Sequence, residues 1–481
     1  MTPAEKPFIH MLKTPLCNYL YDVNTNMFVE VDENTYHYLL EIEQQDCTQE
    51  PAGNARIRQN IDSLRAKGFL SANHPKEIRH SHTDLMPYHL NENIRQIALQ
   101  VTQQCNFRCS YCVYCSGDFE SQRDHSSKRM PLETALAAVD FFAARCGNQE
   151  MPAIAFYGGE PLLEFPLIQK VVEYAEKKLY GKRLTFAVTT NASLLTPEIA
   201  EFFTKHNFRT TISLDGTPET HDRSRRFAST GEGSFDIIRQ NLETVTQRFP
   251  DFMFSFNTVI DPRYSCDSLH ELFSQGELFR DAYVTSNLID DKFSVEKTVP
   301  GEIFLQQDRR HAFKSYLALL DKYDRKNVSR VSYISLSGSF RRLLTNMKPT
   351  VSLPEVVAPG GPCIAGERRL LVSTEGNLYP CERVSETSEA MKIGNLWDGF
   401  DLVKIDNILN VAQTTSEDCK NCWAFRHCTL CCSNSDNCGK LSAELRRSQC
   451  KGVRAYVEDS FKDYLWMKEF GVPYDALSEE V

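Results

Sequence analysis

The sequence predicts an α/β chain centred on an open, partial barrel of six strand–helix units. Strand-like and helix-like runs alternate from Ile94 to roughly Asp291, and the strands read as near-continuous apolar stretches, the pattern of a parallel sheet covered by helices. Flanking regions differ in character. A small module of β-rich and helical runs precedes the barrel, and a loop-rich, cysteine-rich region follows from about Pro362. The expected divisions are an N-terminal module at 1–72, a linker at 73–93, the barrel at 94–291, a bridging region at 292–361, the cysteine-rich domain at 362–460 and a tail at 461–481.

From Pro7 to about Ser71 the order reads strand, strand, helix, helix, short strand. FIHMLKT and NYLYDV are β-rich, and NMFVEV follows a turn at Asn24-Thr25-Asn26. ENTYHYLLEIEQ and ARIRQNIDSLRAKGFL carry apolar residues at helical spacing, and Gly68 is placed to end the second helix. Module size and element order suggest a winged-helix-like fold, either a peptide-binding element, a DNA-binding one or a structural cap. Cys17 to Val31 contains no basic residue, which makes phosphate contacts harder to build there. Asn73 to Asn93 is polar with two prolines and reads as linker.

The six barrel strands are IALQVT, AIAFYGG, LTFAVTT, FRTTISLDG, FMFSFNTVI and DAYVTSNLI, with helices such as PLETALAAVDFFAARC and PLIQKVVEYAEKKLY between them. Active sites of barrels gather at the C-terminal ends of the strands. Residues 292–361 show one probable helix, DRRHAFKSYLALLDKY.

Composition bounds the class. No apolar run reaches a membrane span, and MTPAEKPFIH lacks the layout of a secretory signal, so a cytoplasmic, reducing location is expected. There, 17 cysteines at short spacings read first as metal ligands. A net charge of −10 argues against nucleic acid as a partner.

Directly after IALQVT comes Cys105-Asn-Phe-Arg-Cys109-Ser-Tyr-Cys112. Three cysteines on a loop at a strand's C-terminal end are placed to bind metal at the barrel mouth. Four thiolates are usual for a [4Fe–4S] cluster, so three leave one iron open for chemistry. Zinc would need a fourth ligand, for which Cys115 and His125 are the near candidates.

This spacing, with Tyr111 as the aromatic, resembles the C-x3-C-x-aromatic-C signature of the radical S-adenosylmethionine (SAM) superfamily. The resemblance implies that the open iron chelates SAM and that reduction cleaves it to a 5′-deoxyadenosyl radical. Cys115 lies outside the motif. Gly158-Gly159-Glu160-Pro161 resembles the family's GGEP motif; the glycines would let backbone approach a ligand closely, and Glu160 would hold the SAM ammonium. Thr190-Asn191 and Ser213-Leu-Asp215-Gly216 end the next strands where the family contacts SAM. Asn191 and Ser213 are thus candidates for ribose or carboxylate contact, or for capping. Arg225 is the candidate for the SAM carboxylate, in competition with Arg223 and Arg226.

The later cysteines read Cys363-x12-Gly376-x4-Cys381, Cys419-x2-Cys422-x5-Cys428-x3-Cys432 and Cys450. They resemble the SPASM domain, an extension carrying auxiliary [4Fe–4S] clusters in enzymes that act on peptides or proteins. By that pattern Cys419, Cys422, Cys428 and Cys450 bind an outer cluster, and Cys363, Cys381 and Cys432 an inner one. The run VSLPEVVAPGGP before Cys363 holds no further cysteine, so the inner cluster has an open iron unless Cys431 or Cys438 fills it. An open iron would hold a substrate cysteine as thiolate. Sulfatase maturases carry an Asp after the cysteine matching Cys381; here Glu382 stands there, a candidate base or a surface carboxylate.

Tyr114-Cys115-Ser116-Gly117 with Arg123, His125, Lys128 and Met130 resembles the run after the cluster loop in thioether-forming peptide maturases, making His125 a candidate substrate contact. The N-terminal module looks like the recognition element of ribosomal-peptide tailoring enzymes, where a leader peptide adds as a strand to a sheet edge. Together the resemblances imply a partial (β/α)6 radical SAM barrel, a winged-helix-like N-terminal domain and a loop-rich iron–sulfur SPASM domain. They imply three [4Fe–4S] clusters and SAM, a precursor peptide as partner, and an external low-potential electron donor such as flavodoxin or ferredoxin. The expected activity is installation of cysteine-derived thioether crosslinks. The alternatives are sulfatase-type formylglycine formation, carbon–carbon crosslinking, or a zinc-stabilised structural or DNA-binding protein. Cys17, Cys47, Cys146 and Cys266 fit no spacing and read as small buried thiols.

Overall fold

The computed structural model of the chain describes residues 6–44, 55–115, 123–275, 277–280, 282–292, 294–473 and 477. At the N-terminus, β1 (Ile9–Lys13), β2 (Asn18–Asp22) and β3 (Met27–Val31) form an antiparallel meander. Alternation along the strands buries both faces. Ile9, Met11 and Leu20 pack against α1 (Glu33–Gln44) and α2 (Ala55–Ala66), while Phe8, Leu12, Tyr19 and Tyr21 pack against the C-terminal region. Gly68, at φ +89°, ends α2 as expected. The expected short strand near Ser71 does not form. Leu70 at φ +63° takes the chain out of the extended region, leaving the bond from Phe8 N to Ser71 O at 2.9 Å.

The segment expected as linker is more ordered than its composition suggested. β4 (Glu77–Ile78) pairs with β11 (Val356–Val357), and α3 (Met86–Glu92) buries Met86 and Leu90 in the barrel core, since residues at i and i+4 share a helix face.

The barrel strands are β5 (Gln96–Thr102), β6 (Ala153–Gly158), β7 (Thr185–Thr190), β8 (Phe208–Ser213), β9 (Phe254–Ile260) and β10 (Tyr283–Leu288), all parallel and in that spatial order. Between them run α4 (Leu132–Ala143), α5 (Phe165–Lys178), α6 (Pro197–Lys205), α7 (Pro218–Ser224), α8 (Phe235–Arg248), α9 (Asp267–Gln275) and α10 (Glu277–Arg280). The bridging region holds two helices rather than one, α11 (Glu302–Leu319) and α12 (Arg330–Asn346); the serines of the second hide a stripe of Val331, Phe340, Leu343 and Leu344.

The sheet does not end at β5. β12 (Leu370–Val372) pairs with it in parallel, and β13 (Asn377–Tyr379), β14 (Gly394–Asn395) and β15 (Gly399–Phe400) continue antiparallel. The cysteine-rich region is thereby built onto the barrel's edge. Beyond it come α13 (Leu402–Leu409), α14 (Ser416–Lys420) and the long α15 (Ala443–Glu469). The expected tail from 461 is therefore the end of α15. Phe461, fully buried, meets Tyr21 and Phe28 of the N-terminal sheet, each at a centroid distance of 4.8 Å. Among the described residues no helix is long and apolar enough to cross a membrane.

Candidate active site

β5 ends at Thr102, and the chain turns across the barrel mouth into Cys105, Cys109 and Cys112. Gly158 and Gly159 make this possible. A Cβ at Gly158 would stand 2.1 Å from Thr102 O, and one at Gly159 2.1 Å from Gln104 O and 2.9 Å from Cys105 N. On this side the room these glycines leave is taken by the end of β5 and the start of the cysteine loop. Gly159 N donates to Thr102 O and Glu160 N to Gln104 O, each at 2.9 Å. The loop's far side is tied by Arg108 N to Arg226 O at 2.9 Å and Ser110 N to Ser224 O at 3.1 Å.

Burial pushes the Cys105 and Cys109 thiols up to about 12, with Cys109 and Cys112 acting electrostatically on Cys105 and Cys112 on Cys109. Cys112 is driven the other way, well below the ordinary thiol range, by hydrogen bonds from Cys115 and His125. The loop thus offers one thiol already disposed to ionise beside two that a cationic centre would have to deprotonate. His125 Nε2 lies 3.7 Å from Cys112 Sγ, with its Nδ1 3.3 Å from Gln103 O, so this histidine contacts the cysteine loop. Cys115 Sγ donates to Cys109 O at 3.2 Å, and the ligand atoms of Cys112, Cys115 and His125 lie within 4.8 Å of one another. Ser116 and Gly117 lie outside the described residues.

Glu160 is 1% exposed, and burial raises its carboxyl. Its oxygens accept from Leu162 N at 3.0 Å, Thr190 Oγ1 at 2.7 Å and Asn191 N at 2.8 Å, an occupancy that the expected ammonium contact did not include. Asn191 is occupied as well. Its Nδ2 donates to Asn106 Oδ1 at 2.9 Å, and its Oδ1 accepts from Ser193 N at 3.0 Å, which ties β7 to the cysteine loop. Ser213 is half-buried at the end of β8.

Asp215 is the hub that sequence reasoning missed. Its Oδ2 accepts from the Tyr111 hydroxyl and from Arg225 Nε at 2.8 Å, and its Oδ1 from Arg225 Nη2 at 3.3 Å and Val259 N at 2.9 Å. Arg225, the expected partner of the SAM carboxylate, thus stands in a buried pair with Asp215. Asp215 N donates to His221 Nδ1 at 3.2 Å, and burial drives that imidazole down to about 3, so it is neutral. A narrow crevice of about 20 Å³ lies beside this hub, bounded by Tyr111, Asp215, Arg223, Val259 and Leu269.

A second hub lies where the cysteine-rich region meets the mouth. Glu386 Oε1 accepts from Arg123 Nε at 2.8 Å and from Gln100 Nε2 at 2.6 Å, and the Arg123 guanidinium stacks 3.6 Å over the Tyr114 ring. Glu382 is not a surface carboxylate. It pairs with Arg369, its side chain is 16% exposed, and its Oε2 is buried without a hydrogen-bond partner. Tyr157, on β6, lies in electrostatic range of both Cys112 and Glu382.

The remaining cysteines fall into two sets. Cys419, Cys422, Cys428 and Cys450 line one cavity of about 160 Å³ with Phe425, Leu430, Arg446 and Arg454. Cys363, Cys381 and Cys432 act on one another, and Cys431 acts on all three, with half-buried Lys292 beside Cys431 and Cys432. Cys438 stands at φ +71° in another turn, its N–H given to Asp436 Oδ1 at 2.9 Å. Cys146 and Cys266 are buried and Cys17 is half-buried, while Cys47 lies outside the described residues.

Residues 99–274, which hold the cysteine loop and most of the barrel, match the family model of the radical SAM superfamily. This stretch is a radical SAM domain. The zinc-scaffold alternative falls with that match. The radical SAM cyclopropyl synthase TigE of Paramaledivibacter caminithermalis is 24% identical over 399 residues, 79% of this chain and 77% of its own. The cysteine-type anaerobic sulfatase-maturating enzyme of Clostridium perfringens is 22% identical over 366 residues, 74% of this chain and 93% of its own. The solved structure of native anSMEcpe with bound AdoMet shares the fold, with a TM-score of 0.56 at 20% identity over 80% of this chain and 100% of that one. A radical SAM domain implies a [4Fe–4S] cluster and SAM, and the three thiols of Cys105, Cys109 and Cys112, buried or half-buried on one loop, are a donor set that fits the cluster.

Proposed function

We propose that the chain is a radical SAM/SPASM peptide maturase with three [4Fe–4S] clusters. It takes a hydrogen atom, which ends on deoxyadenosine, from a residue of a precursor peptide and joins that carbon to a cysteine sulfur as a thioether. The thiol proton passes to a protein base, and the one remaining electron would pass to an auxiliary cluster. The observation that carries this reading is the seating of β12 beside β5. Through it the cysteine-rich region packs on the barrel, and Glu382 and Cys112 both come into electrostatic range of Tyr157. A relative of the same fold was solved with AdoMet and the Cp18Cys peptide.

Held by Cys105, Cys109 and Cys112, the first cluster supplies reductive cleavage of SAM, with electrons from a donor such as flavodoxin or ferredoxin. Tyr111 is fixed within the cysteine loop by its hydrogen bond to Asp215. The outer four cysteines hold one auxiliary cluster, and Cys363, Cys381, Cys432 and Cys431 hold the other. Cys431 replaces the expected open iron, so the substrate thiol meets the protein's own groups. Glu382 Oε2, buried and without a hydrogen-bond partner, is the acceptor for its proton.

The N-terminal sheet offers one edge for a leader peptide. Met11 N of β1 donates to Glu43 Oε2 at 3.1 Å and Phe8 N to Ser71 O, which occupies that side, whereas β3 pairs with β2 alone among the described strands. The leader therefore adds along β3.

The four-thiol inner set favours one second reading, carbon–carbon bond formation, the class to which the cyclopropyl synthase relative belongs by name. One experiment separates the two. Reconstituted protein, SAM and reductant are given a cysteine-rich precursor peptide, whose product is alkylated and weighed. A thioether removes two hydrogens and one alkylatable thiol per link. A carbon–carbon link removes the hydrogens and leaves every thiol. An unchanged peptide defeats both.

A further inference from the structure

The outer four-cysteine cavity contains a charge with no visible counterpart. Arg446 is 1% exposed and lines that cavity with Cys419, Cys422, Cys428 and Cys450. It stands four residues before Cys450 on α15, so the guanidinium and that thiol project from the same helix face. Its Nη1 donates to Leu430 O at 3.4 Å, but Nε and Nη2 are buried without a hydrogen-bond partner. Arginine cannot shed its proton to escape burial, and an unpaired buried charge is strongly unfavourable. The carboxylate on the rim, Asp418, is already taken, 2.7 Å from Arg447 Nε.

A [4Fe–4S] core ligated by four thiolates is anionic and presents sulfur acceptors. We infer that Arg446 is the N–H donor and counter-charge of the outer auxiliary cluster, with Nε and Nη2 directed at its sulfurs. This rests on the three-cluster reading above. Hydrogen bonds to cluster sulfurs stabilise the more negative, reduced state and raise the reduction potential. Arg446 thereby tunes the outer cluster toward accepting an electron.

The test uses the full chain carrying Cys105→Ala, Cys109→Ala and Cys112→Ala, so that only auxiliary clusters titrate. Arg446→Met and Arg446→Lys are compared with Arg447→Met, a rim control. The expected result in Arg446→Met is a more negative midpoint potential and an altered EPR spectrum for one of two clusters, with partial recovery in Arg446→Lys and none of this in Arg447→Met. Thermal melting gives a second readout that survives loss of the cluster. Without iron, Arg446→Met melts higher than its parent because an unpaired buried charge is gone; with iron it melts lower. An unchanged potential, or a lower melt in both forms, overturns the inference. Should iron stay the same when Cys419 and Cys422 become Ala, the outer cluster itself is absent and the three-cluster reading fails instead.

Discussion

Arg123 and Glu386, separated by 263 residues, meet in a buried ion pair with Nε 2.8 Å from Oε1 and side chains only 7% and 5% exposed. The pair bolts the segment after the cysteine loop to the cysteine-rich region, and Gln100 of β5 and the Tyr114 ring close around it. Removing one partner strands the other's charge, which costs roughly 3–5 kcal/mol for buried pairs. Glu386→Ala should therefore lower the anaerobic melting temperature sharply, and Arg123→Leu with Glu386→Leu should recover part of the loss. Equal melting of all three proteins would show that the pair is not a structural bolt.

Gly159 allows backbone to pass where a side chain would stand. Gly159→Ala would push a methyl into Gln104 O, 2.1 Å from the ideal Cβ, and displace Cys105. Iron per chain should fall by about four, one cluster's worth, with the auxiliary irons retained. Full iron content in this variant would show that the loop can seat elsewhere.

Assembly at the cysteine loop should depend on pH with a definite sign. Burial holds Cys105 and Cys109 up to about 12 without a cluster, so each binds a proton that ligation must displace. Affinity then rises with pH, by about tenfold per pH unit for each proton released between about pH 6 and 9. Competition with a chelator of known pH behaviour measures the slope. A flat profile would mean that the thiols are already ionised.

Cys431 should behave as a ligand and Cys438 should not. In the background lacking the three loop cysteines, Cys431→Ala should lose about four of eight irons, or gain an EPR response to added cysteine. Cys438→Ala should match its parent. A cysteine-responsive signal with Cys431 intact would restore the open iron.

Much of this was legible in the sequence. Six apolar runs gave the barrel strands, and the C-x3-C-x2-C spacing gave the loop. Cooperation at long range was not. Glu386 and Arg123 read as ordinary charges because their pairing depends on β12 joining β5. Arg225 and Glu160 look free in the sequence, and only folding brings Asp215, Thr190 and Asn191 to them. Cys431 was ambiguous because adjacent residues diverge in extended chain. Here the extended backbone ends at Cys431 and a tight turn starts at Cys432, so the two thiols share a site. The boundary drawn at 460 split α15 between the cysteine-rich domain and a tail, which hid the docking of Phe461 and Leu465 on the N-terminal sheet.

The most direct test of the central claim is anaerobic assay of 5′-deoxyadenosine and iron in the reconstituted protein, with SAM and a strong reductant. The account predicts about twelve irons per chain for three clusters, with nucleoside formed. In the variant with Cys105, Cys109 and Cys112 replaced by Ala, nucleoside is lost while about eight irons remain. Zinc in place of iron, or nucleoside made equally well by the variant, would contradict it.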